Sequence, residues 1–117
     1  MSRQLDFPGK SGAVYRYTVL EEDRALPPAG ANYLIAKVND LGSAKVVFAG
    51  ETDNFSSGSW RRKFDEARQR FGATDVLMRL NVRAAVRRQE QDDIVEAHNP
   101  PMNGGPIEED APATGPE

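Results

Sequence analysis

The sequence of 117 residues contains no cysteine, one histidine and one tryptophan, and no apolar run approaches the roughly 20 residues that cross a bilayer. Without cysteine there are no disulfides and no thiolate metal sites. A single histidine, His98, excludes a multi-histidine metal centre. The start MSRQLDFPGKSG lacks the apolar segment of a secretory signal. No phosphate loop, dinucleotide fingerprint or serine-nucleophile elbow is present, so nothing points to an organic cofactor. These absences predict a cytoplasmic chain with no membrane partner, long enough for one domain.

What is present is charge, unevenly placed. Fifteen Lys+Arg against 18 Asp+Glu give a net charge of -3, an average that argues against a nucleic-acid partner. From Gly58 to Arg88, however, nine basic residues face three acidic ones, a local balance of +6. Acidic stretches follow, including Glu90, Asp92, Asp93 and Glu96. The end GGPIEEDAPATGPE carries four acids, no base and one large apolar residue, Ile107. Such a segment buries too little surface to offset its ordering entropy, which predicts a disordered acidic tail over 104–117. Residues 1–12 read as a flexible arm for similar reasons, leaving 13–103 as the folded domain.

Within that domain, Ala13 to Leu20 is rich in β-branched and aromatic residues and reads as a strand, with Tyr15, Tyr17 and Val19 on one face. Two apolar runs, Ala31 to Val38 and Lys45 to Ala49, flank the turn-forming NDLGSA and make a β-hairpin. Trp60, Phe64, Ala67 and Phe71 recur at helical spacing, with Ser59 at the start and Gly72 at the end. Asp75 to Leu80 is a further strand. Asn81 is placed to cap a second helix that runs to about His98 and is ended by Asn-Pro-Pro. The expected fold is α+β, with two helices packed on a small, mostly antiparallel sheet of three to four strands.

On the second helix, Val82, Val86, Ile94 and Ala97 share one arc with Glu90 near its middle. A carboxylate directed at a core or cleft requires a partner. An arginine such as Arg79 or Arg62 satisfies that requirement, and so does a divalent cation.

The order and spacing of several short pieces carry a family resemblance. They read Ala31-Asn32-Tyr33, Phe48-Ala49-Gly50, the turn Gly50-Glu51-Thr52 and the end Asn99-Pro100-Pro101-Met102-Asn103. Over about 31–103 the chain resembles the GIY-YIG nuclease superfamily. The resemblance implies phosphodiester hydrolysis in which a glutamate holds one divalent ion (Mg or Mn), a tyrosine helps activate water and an arginine stabilises transition-state charge. Tyr33 matches the first tyrosine of the pattern. The second is Phe48, which lacks the hydroxyl. The arginine position, eight residues after Gly50, is Gly58, and Arg61 or Arg62 substitutes only across a longer turn. Ungapped, the metal-ligand position is Gln91; one inserted residue moves it to Glu90, the register favoured by the helical arc. Gly50, Thr52 and Asn103 are the structural residues of the motif, with Asn103 expected to pin the C-terminal loop to the sheet.

Three functions are compatible with these residues. The foremost is a GIY-YIG-like domain with lost or weakened nuclease activity that binds nucleic acid, DNA foremost, through Arg61, Arg62, Lys63, Arg68, Arg83, Arg87 and Arg88. The second is an active metal-dependent DNA endonuclease using Tyr33, Arg61 or Arg62, and Glu90 with its divalent cation. The third is a protein-interaction module on the same scaffold.

Overall fold

The computed structural model describes residues 3–21 and 25–104. The acidic-tail expectation falls, apart from Gly104, outside the described residues. Five strands and two helices follow one another as β1 (Gln4–Pro8), β2 (Val14–Val19), β3 (Ala31–Val38), β4 (Ala44–Thr52), α1 (Trp60–Phe71), β5 (Asp75–Leu80) and α2 (Ala84–His98). Single 3-10 turns at Phe55–Ser57 and Pro101–Asn103 follow β4 and α2. The strands form one sheet in the order β1-β2-β5-β3-β4, and every pairing is antiparallel. No helix among the described residues is long and apolar enough to cross a membrane.

The α+β class stands, but the sheet has five strands rather than three to four. The additional strand, β1, lies inside the segment expected to be a flexible arm. Its residues alternate: Phe7 is 3% exposed and meets Tyr17 edge-on at 5.7 Å, while Asp6 pairs with its cross-strand neighbour Arg16 at 2.9 Å. Pairing with β2 supplies the burial that a five-residue segment lacks alone.

β3 is the centre of the sheet, hydrogen-bonded to both β4 and β5. Its first six residues, Ala31 to Ala36, are all buried because a helix covers each face. On one face Tyr33, Ile35, Val47 and Val76 pack with Phe55, Trp60 and Ala67 under α1. On the other, Leu34, Ala36, Ala49, Leu77 and Tyr17 pack with Ile94 of α2. The near-continuous apolar run of β3 follows from this two-sided covering. Gly72 ends α1 in the left-handed conformation, its N–H donating to the Ala67 and Arg68 carbonyls.

Two expected caps are absent. Ser59 makes no side-chain capping bond. Asn81 precedes α2 by three residues, and its amide donates instead to the Asn32 side chain at 3.0 Å.

The β1–β2 hairpin joins the remaining sheet through only two registered pairs, Thr18 with Met78 and Val19 with Leu77. A second attachment runs through Asp93 of α2. Its carboxylate accepts from the Ser11 N–H (2.9 Å), the Ser11 hydroxyl and the Tyr15 hydroxyl (both 2.7 Å), and its carbonyl accepts from the Lys10 N–H. His98 adds a 2.9 Å bond to the Pro8 carbonyl. The Ser11 and Tyr15 bonds hold the Asp93 carboxyl below the usual carboxylate range. A depressed carboxyl contributes stability that is fully present above its unfolded pKa, about 4, and is lost as the pH falls through the lower folded value. Hydrogen exchange at the Lys10 and Ser11 amides is therefore expected to stay protected at pH 5 and to open in stronger acid, whereas Asp93→Asn opens it at every pH. Protection unchanged in Asp93→Asn would show that the clasp is held elsewhere.

Candidate functional site

The inward side of α2 carries Arg87, Gln91, Ile94 and His98; of the expected arc, Ile94 and the Arg79-paired Glu90 turn inward, whereas Val82 and Ala97 do not. Val82 precedes the helix and is 77% exposed, and Ala97 is also exposed. Arg87, Gln91 and His98 are polar, and each finds a partner. Arg87, 5% exposed, donates through Nε to Glu51 at 2.7 Å and through Nη1 to the Asn81 carbonyl at 3.0 Å. The fully buried Asn32 amide donates to the Arg87 carbonyl at 2.9 Å. Gly30 leaves room for this arginine, since a Cβ there would stand 2.3 Å from Arg87 Nη1. Arg87 is thus a structural ion-pair residue, corrected from its expected role in phosphate contact.

Gln91 donates to the Ala49 carbonyl at 3.1 Å. Asn103 reaches the same residue from the chain's C-terminal side. Its Nδ2 donates to the Ala49 carbonyl (3.0 Å) while its Oδ1 accepts from the Ala49 N–H (2.7 Å). Between them Gln91 and Asn103 occupy the outer edge of β4, where backbone groups would otherwise be open to another strand.

Tyr33 and Glu90 lie on opposite faces of the sheet. Tyr33 belongs to the α1 face, where its ring approaches Phe48 (6.0 Å between centroids) and Phe55 (6.4 Å). It crosses directly over Gly50: a Cβ at Gly50 would meet Tyr33 Cζ at 2.5 Å. Tyr33 is 7% exposed, and its hydroxyl makes no hydrogen bond within the described residues. Every fully buried side-chain oxygen or nitrogen among them has a partner, so this hydroxyl reaches the surface. Burial first, and then the charge of Glu51, push the phenol above its ordinary pKa.

Glu90 pairs with Arg79 of β5 at 2.9 Å on the α2 face, beside Tyr15, over whose ring the Arg79 guanidinium also sits. An arginine in contact and an adjacent amide at Gln91 do not suit a dication. Among the described residues, no three His, Cys, Asp or Glu side chains converge. Arg61 folds back over Gly58, where a Cβ would stand 2.8 Å from its Nε, and its guanidinium lies 4.7 Å from the Trp60 ring centroid. Trp60 is stacked on Phe55 at 5.3 Å, and it is Phe55, not Arg61, that meets the Tyr33 ring. Tyr33, Arg61 and Glu90 are not brought together. Thr52 shapes the following turn, its Oγ1 accepting from the Asn54 N–H at 3.2 Å, and Asn54 caps the 3-10 turn.

The basic segment divides between two surfaces because α1 and α2 cover opposite faces. On α1, Arg70 pairs with Glu66 at 2.7 Å and Arg68 with Asp65 at 3.9 Å. The first turn holds Arg61, Arg62 and Lys63 and no acid; Lys63 Nζ lies 5.1 Å from the Phe48 ring centroid. On α2, Arg83 and Arg88 are exposed. No family model, curated protein or solved structure matches this chain.

Proposed function

We propose that this is a catalytically silent, GIY-YIG-like domain that binds nucleic acid, DNA foremost, through the first turn of α1. One observation carries the reading. Arg61, Arg62 and Lys63 crowd the N-terminal turn, at the positive end of the helix dipole, where cations are disfavoured and where acids ordinarily collect. The remaining α1 arginines pair with acids of the same helix, whereas these three have no ion-pair partner among the described residues. A row of phosphates supplies the missing negative charge. Silence is supported by the separation of Tyr33 from Glu90, by the Arg79 partner of Glu90, and by the amide of Gln91 at the ungapped metal-ligand position.

Fluorescence anisotropy with labelled DNA tests it. Three phosphate contacts give a salt dependence that weakens binding about 20- to 40-fold between 50 and 200 mM salt. The triple variant Arg61→Ala/Arg62→Ala/Lys63→Ala is expected to lose both the affinity and the slope, whereas Arg83→Ala/Arg88→Ala keeps them. No binding at low salt, or an unaffected triple variant, removes the proposal.

A further inference from the structure

A cleft of about 790 Å³ lies beside this turn, between α1, the start of β5 and Leu20, Glu21 and Leu26 beyond the end of β2. Its apolar surface comes from Leu26, Phe64, Ala73 and Val76, with Trp60 at the end nearest the basic turn. Two arginines line it, one helical repeat of seven residues apart. Arg61 lies over the Trp60 ring and Arg68 over the Phe64 ring, 5.5 Å from its centroid. Glu21, Asp65, Thr74 and Asp75 add acceptors. The size is that of a small-ligand pocket, and the combination is guanidinium groups backed by the Trp60 and Phe64 rings and bordered by hydrogen-bonding side chains. A bare anion is not suited to a cleft that also presents carboxylates. A lipid tail is not suited to one with two arginines and three carboxylates. A nucleobase uses all of these: its face stacks on aromatic or guanidinium planes, and its edge carries N–H donors for carboxylates.

We infer that this cleft takes one unstacked base of a single strand whose phosphates lie on Arg61, Arg62 and Lys63. The inference rests on the reading above and narrows it, because Arg61 belongs to both the turn and the cleft. A duplex keeps its bases stacked, so single strands are the preferred ligand.

Trp60 is the only tryptophan in the chain and lines the cleft, so intrinsic emission reports occupancy directly. The probes are a six-nucleotide single-stranded DNA, the same phosphodiester backbone carrying tetrahydrofuran in place of every base, and a duplex of equal length. The based strand is expected to bind about 5- to 150-fold more tightly than the baseless backbone, the range for one stacked base, and to quench Trp60. The baseless backbone and the duplex leave the emission unchanged. Phe64→Leu keeps an apolar side chain against the core and removes the π face. It is expected to abolish most of the discrimination while leaving baseless-backbone affinity intact. Equal, salt-sensitive affinity for all three probes with unquenched emission overturns the cleft assignment and leaves the basic turn as the binding element. Absence of binding to any probe at low salt overturns both.

Discussion

Arg87→Ala is expected to destabilise the fold by about 3 kcal/mol, the lower end of the range for removing one partner of a buried ion pair. The lower end applies because the Glu51 side chain keeps 25% of its surface in water while that of Arg87 keeps 6%. Loss of the guanidinium leaves the Glu51 carboxylate without its counter-charge and the Asn81 carbonyl without its donor. Against a total stability of about 5–15 kcal/mol for an ordinary domain, this is a large fraction. The neighbouring Arg88 is exposed, and Arg88→Ala should stay within about 0.5 kcal/mol of wild type. Urea denaturation of both variants checks the contrast. The mechanism is checked by Arg87→Met/Glu51→Gln, which removes both charges and should be more stable than Arg87→Met alone. A double variant as unstable as the sum of its parts would show that the pair contributes nothing through its charge complementarity.

Gly50→Ala is expected to cost about 2–3 kcal/mol by overpacking alone. Gly50 does not have a positive φ, so no backbone strain arises, and in a strand the substitution by itself is favourable by roughly 0.5–1 kcal/mol. The cost comes from the new methyl group, which would stand 2.5 Å from Tyr33 Cζ, 2.6 Å from its hydroxyl oxygen and 2.9 Å from Phe48 Cε2. Tyr33 is tightly held between Phe48 and Phe55, so its ring has little room to yield. In a Tyr33→Leu background the same Gly50→Ala substitution should cost far less, and a double-mutant cycle on thermal or urea unfolding measures the coupling. Independent, additive effects would mean that the Tyr33 ring is not what requires glycine here. The glycine of the Phe48-Ala49-Gly50 segment thus has a packing reason that is independent of any chemistry at Tyr33.

Elements defined by local pattern were readable in the sequence. β3 and β5 begin and end where their apolar runs do, and α1 follows the spacing of Trp60, Phe64, Ala67 and Phe71 to the glycine that ends it. β1 was missed because Leu5 and Phe7 are too few to declare a strand; only pairing with β2 and contact with Tyr17 make them one. The face of α2 was misread for a related reason. Hydrophobicity locates a buried face only when that face is apolar, and α2 turns Arg87, Gln91 and His98 inward against waiting partners. The spacing of these residues with Ile94, at i, i+4, i+7 and i+11, was present in the sequence, but polar identities hid it.

The candidate site shows the same division. From composition alone came the exclusion of disulfides, thiolate metal sites and multi-histidine centres, because these need residue types the chain does not have. The excess of positive charge over 58–88 was equally plain, being a property of linear order. Which charges share a surface was not, because α1 and α2 cover opposite faces of a sheet whose strand order, β1-β2-β5-β3-β4, is set by long-range pairing. Tertiary structure chose Arg79 over Arg62 as the partner of Glu90, removed Arg87 to the interior, and left Arg61, Arg62 and Lys63 as a cluster without an ion-pair partner among the described residues. Residue type constrains chemistry locally, whereas burial and ion pairing depend on what the rest of the chain brings within a few ångströms.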